Sequence, residues 1–285
     1  MSTPTVSPED DARIRAVLDE ARELHASLEP LYTWDELLDI IADCDLAVLC
    51  RQPAFEALYA QTFNPLVKSV YGKMETYLRK QLGWAPQEGA EGKEYWERTG
   101  RTNVRRNDWP YGVPRDVSHW VVWVPLPLFH PALCTPLPSR SSTPLPPSLA
   151  RSLSASSAQP SPSGTSTPSG ITPHNPLAHD SVAPTKGTWD WVSRNGLGGL
   201  TGAAERRWRK RRAAQGADGE EDGEEEEEYR EDEGPEREIK AFVEGRWPES
   251  EGWETAWFAN PPSLQSVPGL AHFHVLARKT PEAER

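Results

Sequence analysis

The chain has 285 residues, with 31 Lys and Arg against 43 Asp and Glu and a formal charge of -12, a balance that at first excludes a nucleic-acid binder. The excess is local: Asp218 to Glu238 holds 14 acidic and 2 basic residues, which leaves 29 of each sign over the other 264. A hydrophobic share of 36% is low for a wholly folded chain of this length. Its 12 Trp, 7 Tyr and 6 Phe exclude a wholly disordered one, so folded and disordered parts are expected together.

In chain order, Ser7 followed by Pro8, Glu9 and Asp10 reads as a helix cap, and Ile14, Val17, Leu18, Ala21, Leu24 and Leu28 then recur at helical spacing. Thr33 with Glu36 forms a capping box ahead of Leu37, Leu38, Ile41 and Leu46. Further helices are expected over Pro53 to Phe63 and Pro65 to Leu82, with Gly83 as the stop. After Arg98 the pattern changes. "TNVRRNDWPYG" reads as a strand entering a turn, and "VSHWVVWVPLPL" as a sheet strand.

Pro127 to Pro184 carries 13 of the 28 prolines among Ser, Thr and Ala, a composition that cannot offset ordering entropy and is expected to be disordered. "TWDWVSRNGLGGLTG" regains aromatics and glycine turns. The basic run Arg206 to Arg212 and the acidic run follow, and both are expected to stay solvated. "EREIKAFVEGRWP" then reads as a short helix, and "ETAWFANP" and "AHFHVLARK" as strands. The fold class is α+β: N-terminal helices on an antiparallel sheet, with a long disordered insert. Four parts follow: 1–128 with the helical layer and first half of the core, 129–187 as the insert, 188–236 as a short ordered piece with both charge runs, and 237–285 as the second half.

Cys44, Cys50 and Cys134 lack C-x-x-C spacing, which fits a reducing compartment. No window approaches the ~20 apolar residues of a membrane span, and no secretory signal opens the chain, so a cytoplasmic protein is expected. The basic run adds nuclear import as an option. Thr135, Thr143, Ser161, Thr167 and Thr172 each precede proline and suit proline-directed phosphorylation.

Three constellations carry chemistry. Alternation along "AHFHVLARK" puts His272 and His274 on one strand face, which suits a nucleophile beside a phosphate-binding partner, or two metal ligands, or two buried histidines held by backbone groups. Around "NDWPYGVPRDVSHW", Asn107 and Asp108 are candidate ligand contacts, Tyr111 a stacking ring, and His119 a third imidazole. The same residues also suit a plain Asx turn. In "WFANPPSLQSVPGLAHFH", Asn260, Gln265 and Ser266 precede the His pair and suit phosphate oxygens.

These motifs, with "YTWDELLDII" and "YLRKQLGW", resemble the fungal N-acetylglucosamine-induced protein 1 family over about Leu31 to Trp84, Arg101 to Pro125, a segment near Gly198, and Arg237 to Arg278. The resemblance implies a cytoplasmic fungal protein of the N-acetylglucosamine response, and no established activity. More distantly, Asn before Pro-Tyr, Val-Val-x-Pro, and Gln-Ser-Val ahead of His-x-His-x-Leu-x-Arg are similar to the histidine-triad nucleotide hydrolases and transferases. That resemblance implies a histidine-triad-like form of the α+β fold, a His nucleophile and a nucleotidyl intermediate. In one register His272 is the nucleophile, His274 the last histidine, and Leu270 replaces the first. In the other, His274 is the nucleophile and Leu276 replaces the third.

The expected function is a pocket for a phosphorylated ligand, a nucleotide or nucleotide sugar, with no cofactor, membrane or nucleic-acid partner. Catalysis would fall to His272, His274 and His119. The alternatives are a metal site of His119, His272 and His274, and a non-enzymatic scaffold.

Overall fold

A computed structural model describes residues 6–84, 95–98, 101–134, 186–216 and 236–281. The Pro-rich insert beyond Cys134, its candidate phosphorylation sites and most of the acidic run lie outside the described residues. The segments on either side of the insert, Met1–Thr135 and Lys186–Arg285, belong to one compact unit.

The N-terminal third is helical: α1 (Pro8–Ser27), α2 (Trp34–Ala42), α3 (Pro53–Leu58), α4 (Asn64–Tyr71) and α5 (Met74–Leu82). The Ser7 hydroxyl accepts from the Asp10 amide to cap α1, and Thr33 and Glu36 close a reciprocal capping box on α2. Each such cap stabilises its helix by about 1 kcal/mol. The expected single helix from Pro65 to Leu82 is broken, because Gly72 sits at φ +76° and turns the chain between α4 and α5. Between α3 and α4 the chain makes one wide π turn, Tyr59–Phe63, in which the Asn64 amide donates to the Tyr59 carbonyl. Pro65 follows and has no N–H to restore the tighter ladder.

The sheet has five antiparallel strands in the order β1 (Asn103–Arg106), β2 (Ser118–Trp123), β5 (His272–Lys279), β4 (Trp253–Ala259), β3 (Leu197–Gly202). β3 stands where glycine turns were expected. Its glycines reflect close approach: a Cβ on Gly198 would lie 2.4 Å from the Ile41 carbonyl of α2, and one on Gly199 2.6 Å from the Trp257 ring. The helices α6 (Trp189–Asn195), α7 (Ala203–Ala214) and α8 (Arg237–Arg246) complete the fold.

Alternation gives the sheet two apolar faces. Val122, Trp257, Phe273, Val275 and Ala277 pack against Val192 of α6, Ile239 and Val243 of α8, and Trp96. On the opposite face, Val121 and Trp123 meet α1, α4 and α5, while Ala256, Phe258 and Leu276 meet α2 and Ala204 of α7. Each fully buried Leu, Ile or Phe contributes about 1.5 to 3 kcal/mol. The three histidines of interest lie on this second face.

The basic run is solvated on one side only, with Arg206, Arg209 and Lys210 exposed. It forms α7 and lies on α2, with Arg207 and Arg211 on Asp35, Arg211 also on Asp39, and Arg212 on Asp43. Among the described residues no helix is long and apolar enough to cross a membrane. None of the three cysteines is in a disulfide among the described residues; Cys44 and Cys134 are buried and Cys50 is exposed.

Candidate active site

Register decides which histidines meet. β2 and β5 pair so that Val121 faces His274 and Trp123 faces His272, and His119, two residues before Val121, shares their face. His119 and His274 bond ring to ring, Nε2 to Nδ1, at 3.0 Å. The His272 and His274 rings lie 5.3 Å apart. All three are buried, at 3% exposure for His119 and 7% for each of the other two.

The hydrogen bonds fix their tautomers. The Tyr111 amide donates to His119 Nδ1 at 3.2 Å, so that nitrogen is an acceptor and the neutral ring carries its proton on Nε2. That Nε2–H donates to His274 Nδ1, which leaves the His274 proton on its own Nε2. Asn107 Nδ2 lies 3.3 Å from His119 Nε2, but two N–H groups cannot bond each other, so Asn107 braces the ring by contact. Its Oδ1 accepts from the Trp109 amide at 2.9 Å. His272 Nδ1 lies 2.8 Å from the Leu270 carbonyl, which only accepts. His272 is therefore the Nδ1–H tautomer and its Nε2 holds a bare lone pair.

Burial keeps the three rings neutral. It holds His119 down to about 3, helped by the Arg51 charge, and pushes His274 well below the usual imidazole range, with His119, His272 and Arg51 adding to the effect. His272 is lowered by burial, with its bond to the Leu270 carbonyl working in the other direction.

The His pair opens on a half-open cleft with about 100 Å³ of enclosed space. One wall is aromatic, built from Tyr59, Phe63, Tyr77, Trp109 and Trp123. The wide turn before α4 places Tyr59 and Phe63 against Trp109, with ring centroids 5.1 and 4.9 Å away. The Trp123 ring lies 4.6 Å from that of His272. Burial pushes the Tyr77 phenol up to about 12, so it stays protonated. The polar wall is Arg51, Arg105, Arg106, Asn107, Asp108 and Ser266. Desolvation raises the Asp108 carboxyl, against the pull of Arg105 and Arg22.

Arg51 was not among the sequence candidates. Its Nε donates to the Trp109 carbonyl at 2.9 Å, its Nη1 to Glu56 at 2.7 Å, and its guanidinium lies 4.6 Å from the Tyr59 ring centre. Nη2 makes no hydrogen bond among the described residues. "CRQPAF" carries no motif that separates this arginine from a surface one; only the loop path between α2 and α3 brings it to the histidines.

The sequence candidates fall into three groups. Asn107, Asp108, Ser266, His272 and His274 line the cleft, and Tyr111 and Asn260 line a second cavity behind it, which His274 and Ser266 also border. His119 lines neither and acts through His274. Gln265 also lines neither: its Nε2 donates to the Asn260 carbonyl at 2.9 Å and anchors the loop after β4. For the metal alternative, no group of three His, Cys, Asp or Glu side chains among the described residues is placed to hold a metal ion. Two of the four ring nitrogens of His119 and His274 are taken up by their mutual bond.

The family model described as "Protein of unknown function (DUF3605)" matches residues 33–132 and 219–278, more than half of the chain. The matched residues include all three histidines and Arg51. No curated protein matches. A solved structure titled "Crystal Structure of HTC1" is 19% identical over 89% of this chain and 88% of that one, with a TM-score of 0.39.

Proposed function

The chain belongs to the DUF3605 family of proteins of unknown function, and from that premise we propose that its core binds a phosphorylated small molecule, a nucleotide or nucleotide sugar, with the phosphorus at His272. The observation that carries this reading is the complementary tautomer pair. His272 Nε2 is a bare acceptor and His274 carries an N–H, side by side at the cleft and next to a guanidinium with an uncommitted N–H group. Arg51, Arg105 and Arg106 still exceed Asp108 and the Glu56 that pairs with Arg51 by one positive charge, which favours an anion. The aromatic wall suits a planar base, whose stacking on such rings is worth about 1 to 3 kcal/mol.

In the catalytic form of the proposal, the His272 Nε2 lone pair forms a bond to phosphorus. The bond from phosphorus to the bridging oxygen breaks, and its electron pair leaves on a phosphate oxygen that needs no proton. His274 donates a hydrogen bond to a non-bridging oxygen. It does not act as the acid, because a neutral ring that gives up its only N–H becomes an imidazolate. Water then displaces His272 from phosphorus, releasing a proton to solvent. His119 is a positioning residue that holds His274 in the donor tautomer.

The resemblance to the fungal N-acetylglucosamine-induced protein 1 family supports a nucleotide sugar as the ligand, and a cytoplasmic site of action. The test is the melting temperature of the protein with UDP, ADP and their hexose conjugates. A ligand held at a hundredfold over its Kd stabilises by about 2.7 kcal/mol, a shift of several degrees. Arg51→Met is expected to abolish the shift and His272→Ala to reduce it. No shift with any of the four, in wild type and variants alike, would overturn the proposal.

A further inference from the structure

The cavity beside the His pair has about 260 Å³ of space and a different chemistry from the cleft. It is bordered by Cys50, Glu56, Tyr111 and Asn260, and it shares Arg51, Ser266 and His274 with the aromatic cleft. None of the five aromatic side chains of the first cleft reaches it. Asn260 is buried at 6% exposure, with Nδ2 3.4 Å from the Tyr111 hydroxyl. His274 is buried to the same degree and borders both spaces, and its Nε2–H has no hydrogen-bond partner among the described residues. That Nε2–H faces open space and is available to an acceptor that arrives with a ligand.

We infer that the ligand has two parts joined by phosphate: a planar aromatic group in the first cleft and a hydroxyl-rich group, a hexose or similar polyol, in the second chamber, with the phosphates at the shared wall of Arg51, His274 and Ser266. The inference rests on the phosphate reading above and narrows its substrate class to nucleoside diphosphate conjugates. The second chamber offers carboxylate, amide, phenol and hydroxyl groups, the set that recognises sugar hydroxyls, where the first offers ring faces. The arrangement also suits displacement at phosphorus. His272 borders only the first cleft, so a group leaving into the second chamber departs away from the nucleophile.

Cys50 makes the chamber accessible to experiment. It is the exposed thiol of the three, at the chamber wall, whereas Cys44 and Cys134 are buried. Isothermal titration of the full chain with UDP and UDP-glucose, and with ADP and ADP-glucose, is carried out before and after modification by a bulky maleimide. Cys50→Ser treated in the same way controls for reaction elsewhere. Unmodified protein is expected to bind one hexose conjugate about tenfold more tightly than its parent diphosphate, a difference of about 1.4 kcal/mol. Modification is expected to remove that preference while the diphosphate Kd stays within about twofold. Treated Cys50→Ser is expected to keep the preference. Diphosphate binding with no preference for the hexose conjugate, or a preference that survives modification of Cys50, overturns the two-part ligand and leaves the phosphate reading standing. Failure of every diphosphate to bind unmodified protein overturns both.

Discussion

At His119 a backbone amide sets the proton position for two rings, and this gives the residue a cost as well as a use. Its folded pKa of about 3 lies below the ordinary value of 6.5, so below pH 6.5 the unfolded chain takes up a proton that the folded chain refuses. His272 and His274 are lowered too and add in the same direction. Stability is therefore expected to fall as pH drops from 6.5 toward 3, and urea unfolding at pH 7 and pH 5 measures it. His119→Gln is expected to lower stability at pH 7 by about 1 to 3 kcal/mol through its lost hydrogen bonds, and to lose less than wild type between the two pH values. An equal loss in both would remove His119 as the source. Asn107, Asp108 and the His pair were legible at this scale because their motifs are contiguous. Arg51 was not, since its partners Trp109 and Glu56 give it a role only after the loops have packed.

Among the elements, α2 and α7 show how charge and apolar contact divide the work. The ion pairs of Arg207 and Arg211 with Asp35 and Asp39 are partly exposed, which limits each to about 0.2 to 1 kcal/mol. Ile41 beneath them is fully buried. Arg211→Met is expected to change unfolding free energy by less than about 1 kcal/mol, and Ile41→Ala by about 2 to 5, read by urea denaturation. The reverse order would mean that charge holds this layer. Gly198→Ala is expected to be more damaging than a usual exchange of small residues, because the Ile41 carbonyl occupies the space a methyl group would take. Caps and alternation made α1, α2, β2 and β5 readable in advance, since those signals are local. The break at Gly72 and the strand β3 were not, because a glycine reports a tight place without saying whether the cause is a turn, as at Gly72, or a neighbouring backbone, as at Gly198.

Across the whole molecule, the net charge of -12 describes one segment between Asp218 and Glu238 and not the site. The described unit joins residues from both sides of the Pro-rich insert, so β3, β4 and β5 complete a sheet that β1 and β2 begin. The site spans the same gap: His119 and Arg51 come from before the insert, His272 and His274 from after it. A core divided around the insert and a shared site for His119 and the His pair were expectations of the sequence, as was the strand face that alternation in "AHFHVLARK" gives the pair; the place of Arg51 was not. The central claim, that phosphorus meets His272, is tested most directly by imidazole nitrogen NMR of the histidine-labelled protein at pH 7 during titration with UDP-glucose and ADP-glucose. The account predicts a bare Nε2 on His272 and a protonated Nε2 on His274 before ligand is added, both shifting on addition while His25 and His130 stay in place. A protonated His272 Nε2 at the start, or a titration that moves neither ring of the pair, would contradict it.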